Sequence, residues 1–157
     1  MKGLYAYFAY GSNLLPERLF QRCPTAVPYA PAILPNYRLT ERLYADVDYA
    51  PGEQVHGFVY LLRAHDVARL DRYEGYPHLY TKELLPVQTD SGPQNVVAYV
   101  MAAPYCERVQ PPTSTYLQTV LAGYRLAGFE PKAVLQAAAQ ARQAEQRMSR
   151  KRRDNER

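Results

Sequence analysis

The segment LYAYFAY, residues 4–10, has no polar face. Side chains along a strand alternate between two sides, so a run that is apolar at both parities must be covered on both. Its aromatic content favours a strand over a helix. The segment therefore predicts a central strand and a fold with material packed on each side of the sheet. Three small residues, Gly11-Ser12-Asn13, end it at once. Pro16 then suits the first turn of a short helix over PERLFQR, residues 16–22.

The remaining pattern is strand-rich before residue 104 and helical after 111. AILPNYRLT (32–40) reads as a broken strand and EQVHGFVYLL (53–62) as a strong one. Asp66 caps or opens a short helix, DVARLDRY, with Val67 and Leu70 toward the core. TKELLPVQT (81–89) and NVVAYVMAA (95–103) flank the turn signal DSGPQN. Leu117, Val120, Leu121 and Tyr124 then fall on one helical stripe, and Gly128 is placed to stop that helix. A last helix starts near Pro131. Its apolar face beyond Leu135 is mostly alanine, and RMSRKRRDNER has nothing to bury, so the end is expected to fray. Strands first and helices after imply an α+β domain whose sheet curls or closes, which also hides its edges.

Charge separates the chain in two. Residues 142–157 hold seven cations and three anions, while the preceding 141 residues hold twelve of each. The whole net charge of +4 thus belongs to the tail. A nucleic-acid-binding body is disfavoured on this ground, because its basic surface would lie on the folded part. Cys23 and Cys106 are expected to be reduced thiols in a cytoplasmic protein. No apolar leader or membrane-length run is visible, and His56, His65 and His78 are scattered without metal-ligand spacing. No metal or cofactor site is expected.

Three places are suited to chemistry. Between strand and helix, Gly11 permits a tight or left-handed backbone, and successive N–H groups there form a nest for a carboxylate or phosphate. An ordinary turn capped by Ser12 or Asn13 fits the spacing as well. The turn has neither the lysine nor the glycine spacing of a nucleotide-binding loop. In LDRYEGYPHLY, residues 70–80, Glu74 falls at a helix C-terminus before Gly75. The dipole there disfavours its anion, and Tyr73, Tyr76 and Tyr80 can screen it from water, both of which raise its pKa. Asp71 is the rival base, and physical chemistry does not separate the two. Tyr116 lies about one 100° helical step off the apolar stripe, able to send its hydroxyl toward a pocket.

Taken in order, these segments resemble the gamma-glutamylcyclotransferase-like family. The likeness rests on YFAYGSNL (7–14), VHGFVYLL (55–62), LDRYEGYPHLY (70–80) and PPTSTYLQTVLAGYRLAGF (111–129). It implies a small mixed β-barrel with short flanking helices, as a catalytic domain over residues 1–131. The C-terminal helix and basic tail of 132–157 lie outside it. The Asp-x-x-Glu-Gly segment implies Glu74, not Asp71, as the catalytic residue. Substrate contacts are implied for Tyr7, Phe8, Ala9, Tyr10, Gly11, Ser12, Asn13 and Tyr116. The implied substrate is a γ-glutamyl amine, peptide or conjugate. The other reading is a non-catalytic binder of a small carboxylate on the same fold. Leaving-group contacts are expected from loops 40–54 and 104–112.

Overall fold

The computed structural model describes residues 3–157. The expected central strand forms as β1 (Leu4–Ala9). A single 3₁₀ turn, Ser12–Leu14, leads into α1 (Pro16–Arg22), with Pro16 in its first turn. The following elements are β2 (Val27–Arg42), β3 (Tyr44–Arg63), α2 (Ala64–Tyr73), β4 (Tyr80–Thr89), β5 (Gly92–Met101), α3 (Ser114–Ala127) and α4 (Lys132–Asn155).

The strands close into a mixed barrel in the order β1-β3-β2-β4-β5. β1 pairs antiparallel with β3 from Leu4↔Arg63 to Ala9↔Phe58. On its other side it meets β5 in parallel, at the pair Tyr7↔Val97, and this contact shuts the barrel. Both faces of β1 are buried over Tyr7–Ala9, as its composition predicts, while Tyr5 near its start is exposed. Phe8 packs into a core with Leu34, Val59, Val87 and Val96, joined by Val120 and Tyr124 of α3 and Val134 and Ala137 of α4. Tyr7 and Ala9 pack into a second core with Leu19 of α1, Leu70 of α2, Leu62 and Tyr99.

The structure corrects the reading of residues 27–63. They form one long antiparallel hairpin, not a broken strand, a loop over 40–54 and a second strand. Leu43, at φ 68°, makes the turn. Pairing shifts register between Pro35 and Tyr37, where Asn36 takes φ 63° and its Oδ1 accepts the Gly52 N–H at 3.1 Å. A bulge of this kind absorbs a proline and an extra residue without ending the strand.

Two helix readings also change. Asp66 does not cap α2. It sits inside the first turn, fully buried, and its Oδ2 accepts the Thr25 hydroxyl and the Thr25 N–H. α4 stays helical to Asn155 although its buried residues end at Ala141, so the expected fraying is not seen. α3 behaves as read: Thr113 caps it by accepting the Tyr116 N–H, and Gly128 ends it at φ 79°. Among the described residues no helix is long and apolar enough to cross a membrane.

Candidate active site

The turn after β1 is built around Asn13. Its closing bonds run from the Leu14 N–H to the Gly11 carbonyl and from the Leu15 N–H to the Ser12 carbonyl, leaving the Ser12 and Asn13 amides out of the closure. Neither Ser12 nor Asn13 caps the turn with its side chain. The buried Asn13 carboxamide instead reaches across the molecule. Its Nδ2 donates to Glu74 Oε1 at 3.1 Å and to the Tyr7 hydroxyl at 3.2 Å, while its Oδ1 accepts from Arg22 Nη1 at 2.8 Å. Gly11 is not left-handed, since its φ is −115°. Its role is space: a Cβ there would lie 3.0 Å from the Ala45 Cβ and 3.3 Å from the Tyr116 hydroxyl.

Glu74 ends α2 as its C-cap, and Gly75 follows at φ 63°. Burial holds the Glu74 carboxyl above the usual carboxylate range. The Arg22 charge, the Asn13 hydrogen bond and Arg18 pull it partly back. Tyr73 and Tyr76 do not screen it as expected, because both rings are exposed. Asp71 is occupied elsewhere: Oδ1 accepts the Tyr99 hydroxyl at 2.5 Å, and Oδ2 accepts from Lys82 Nζ at 3.0 Å.

Glu74 opens into a cavity of about 240 Å³. Tyr7, Phe8, Tyr10, Gly11, Ser12, Asn13 and Tyr116 line it, together with Arg18, Arg22, Tyr44, Ala45, Tyr73, Tyr80 and Tyr99. Three of the tyrosine hydroxyls are fixed by backbone. Tyr10 donates to the Tyr99 carbonyl at 2.5 Å and Tyr80 to the Ala45 carbonyl at 2.7 Å. The Tyr116 hydroxyl accepts the Ala45 N–H at 3.0 Å, and its ring meets Tyr44 edge-on. Burial raises the phenol pKa of Tyr7, Tyr10, Tyr80 and Tyr116, so all four stay protonated; Tyr10 and Tyr80 give that proton to the backbone, and Tyr7 and Tyr116, which accept, keep theirs to donate.

Beside the cavity wall lies a second buried carboxyl. Glu41 stands opposite Ala45 in the β2–β3 ladder and is only 3% exposed. Neither of its oxygens has a hydrogen-bond partner. Burial, reinforced by nearby Asp46, pushes it up to about 8. Asp46, by contrast, accepts the Met101 N–H at 2.9 Å and pairs with Arg42 at 2.8 Å.

Comparison with known proteins bears on the fold and the family. The family model for gamma-glutamyl cyclotransferase, AIG2-like, matches residues 7–126. The chain belongs to that family. It is 31% identical to a bovine gamma-glutamylcyclotransferase over 138 residues, covering 80% of this chain and 72% of the relative. A human gamma-glutamylcyclotransferase is 28% identical over the same shares. A solved structure titled gamma-glutamyl cyclotransferase superposes with a TM-score of 0.72 at 26% identity, covering 87% of each chain. The closed mixed barrel with flanking helices is thus the cyclotransferase fold, and the family is one of enzymes.

Within this cyclotransferase barrel, the sequence-derived site residues gather in one place, with one exception. Ala9 is fully buried in the second core, and its carbonyl runs beside Gly57, where a Cβ would lie 2.5 Å away. Sequence reasoning missed Arg18, Arg22, Tyr44, Ala45 and Tyr99. Arg18 and Arg22 carried a usable signal, being one helical turn apart on the helix that follows the Gly-Ser-Asn turn. Tyr44 and Ala45 come from the 40–54 stretch, but as a paired strand. Residues 104–112 add nothing to the cavity lining. Among the described residues no group of three or more His, Cys, Asp or Glu side chains is placed to share a metal ion. His56 packs on the Phe129 ring, and both cysteines are free thiols.

Proposed function

We propose that the protein converts a γ-glutamyl amine, peptide or conjugate to 5-oxoproline and the free amine, with Glu74 as general base and acid. The observation that carries this reading is the 3.1 Å bond from Asn13 to Glu74, which joins the Gly-Ser-Asn turn to a carboxyl 61 residues away inside one cavity. The names of the relatives bear on the chemistry, since each is a gamma-glutamylcyclotransferase.

The nucleophile is already part of the substrate. Glu74 takes a proton from the α-ammonium, and the freed amine attacks the γ-carbonyl carbon. A five-membered tetrahedral intermediate forms. Its collapse breaks the original amide C–N bond: Glu74 returns its proton to the departing nitrogen, and the ring nitrogen gives up its second proton to the freed amine or to solvent, leaving the neutral lactam. Aligning the tethered amine supplies roughly 7–11 kcal/mol in favourable intramolecular cases. The remaining task is to fold the glutamyl chain back on itself and neutralise the oxyanion.

Each task has a candidate in the cavity. The Ser12 and Asn13 amides hold the α-carboxylate or the developing oxyanion. Tyr7, Tyr10 and Tyr116 shape the space, and Tyr7 and Tyr116 supply phenol protons. Asn13 aims the Glu74 carboxyl and is itself held by Arg22. A carboxyl raised above its ordinary range is a stronger proton acceptor in its ionised form. The test is 5-oxoproline release from a panel of γ-glutamyl amines and dipeptides, with Glu74→Gln alongside. Release by the parent and not by the folded variant is expected. Turnover of the variant within a few-fold of the parent would place the base elsewhere.

A further inference from the structure

Outside the reaction cavity, α1 and α2 bring four arginines together. Arg18 and Arg22 line the cavity itself. Arg22, Arg69 and Arg72 line a neighbouring depression with Gln21 and Tyr73. The two spaces share Arg22 and Tyr73, whose guanidinium and ring stack at 4.7 Å. No carboxylate lines the depression.

Among the described residues Arg69 and Arg72 have no ion-pair partner, while Arg18 and Arg22 face only Glu74, across the cavity. The ion pairs among the described residues involve Arg42, His65 and Lys82, and none engages Arg18, Arg22, Arg69 or Arg72. The acidic residues of α2 are committed: Asp66 bonds Thr25, and Asp71 bonds Tyr99 and Lys82. Arg18 acts on Arg22 as a like charge, and the Nε of Arg18 is buried without a partner. Helix C-termini attract cations, which accounts for Arg22 and Arg72 in the last turns of α1 and α2. That attraction fades within a turn and does not account for Arg18 or Arg69. A group of guanidinium ions next to a cavity is suited to an anion, and to carboxylates in particular, through paired N–H donors.

Resting on the cyclotransferase reading above, the geometry points to Arg22, Arg69 and Arg72 as a subsite for the leaving group. The departing amine is then one that bears carboxylates, an acidic amino acid or the amino end of an acidic peptide, rather than a neutral amine. The γ-glutamyl half sits against Asn13 and Glu74. The half beyond the scissile bond passes Arg22 and Tyr73 and reaches Arg69 and Arg72.

The experiment compares γ-glutamyl-glutamate, γ-glutamyl-alanine and γ-glutamyl-butylamine on the full chain, on Arg69→Ala/Arg72→Ala, and on Arg69→Lys/Arg72→Lys. For exposed arginines the expected preference in kcat/KM for the acidic substrate over the amine is about five- to tenfold, set mainly by KM. It should shrink as salt rises. The alanine pair should bring the ratio close to one, and the lysine pair should keep part of it. A parent ratio near one, or a ratio that survives the alanine pair, overturns the inference. If no substrate yields 5-oxoproline, the cyclotransferase reading fails separately. Thermal stabilisation by γ-glutamyl-glutamate against γ-glutamyl-butylamine then decides the subsite. A larger shift with the acidic compound, lost in the alanine pair, supports it, and equal shifts reject it.

Discussion

One carboxyl opens into the cavity and another lies behind its wall, and the two meet opposite fates. Glu74, at the end of α2, receives a hydrogen bond from Asn13 and feels Arg22 and Arg18. Glu41, in the β2–β3 hairpin, is buried at 3% exposure with no partner for either oxygen. Burial raises the pKa of both. The difference lies in what offsets it. Glu74 has nearby groups that favour its anion and offset part of that rise. For Glu41 the neighbouring Asp46 adds to the burial, and the group is held neutral up to about 8. Burial alone therefore does not make a base. A donor and a positive charge within reach must keep the anion accessible.

Substitutions can break this contrast, and the largest effect is expected at Glu74. Removing a positioned acid–base group costs about 10²- to 10⁴-fold in turnover. Glu74→Gln should lose that much while its unfolding transition stays close to the parent's. The parent's kcat/KM should also fall with acid at a pH above the usual carboxylate range, because the Glu74 carboxyl is raised. An acid limb at ordinary carboxylate values would deny its burial.

At Glu41 the expected change is in stability. The group ionises near 4.5 when unfolded and near 8 when folded, so between those values the folded state holds the extra proton. Stability must then fall as pH rises through that window. Glu41→Gln should remove this dependence and gain on the order of a few kcal/mol by pH 8.5. Denaturant unfolding at pH 5 and 8.5 checks it, and parallel curves for parent and variant would show that Glu41 finds a partner in solution.

A smaller cost is expected where α3 supports the turn. A Cβ at Gly123 would lie 2.8 Å from the Leu15 backbone N and 3.0 Å from the Leu14 carbonyl carbon. Gly123→Ala should cost about 1–3 kcal/mol and lower turnover together, as a displaced helix shifts Asn13. Calorimetry beside the release assay tests that linkage. The smallest effect belongs to the tail. Residues 145–157 are all exposed. Their deletion should change stability by less than about 0.5 kcal/mol and leave turnover intact.

Local chemistry made part of this legible in the sequence. LYAYFAY announced a strand covered on both faces, and Leu117, Val120, Leu121 and Tyr124 announced α3. Gly75 and Gly128 marked helix ends through the conformations they now adopt. The 27–63 hairpin was hidden because Pro35, Asn36 and Gly52 look like breaks when their partners are unknown. The pairing that turns them into a bulge is tertiary. The partners of Asp71 were hidden for the same reason, since Lys82 and Tyr99 reach it from β4 and β5. Persistent helix beyond Ala141 had no signal in the apolar pattern, because that stretch buries nothing.

The closure of the barrel has a consequence for how the enzyme comes into being. β2 and β3 are neighbours along the chain, whereas β1 and β5 meet across some 90 residues, at Tyr7↔Val97. Loop-closure entropy favours the hairpin early and the seam late. Tyr7 and Tyr99 flank that seam, and Tyr7 holds the Asn13 carboxamide that reaches Glu74. A chain still lacking the seam would have its hairpin intact and no assembled reaction cavity, so activity during refolding should emerge with the last native signal, not in proportion to strand content.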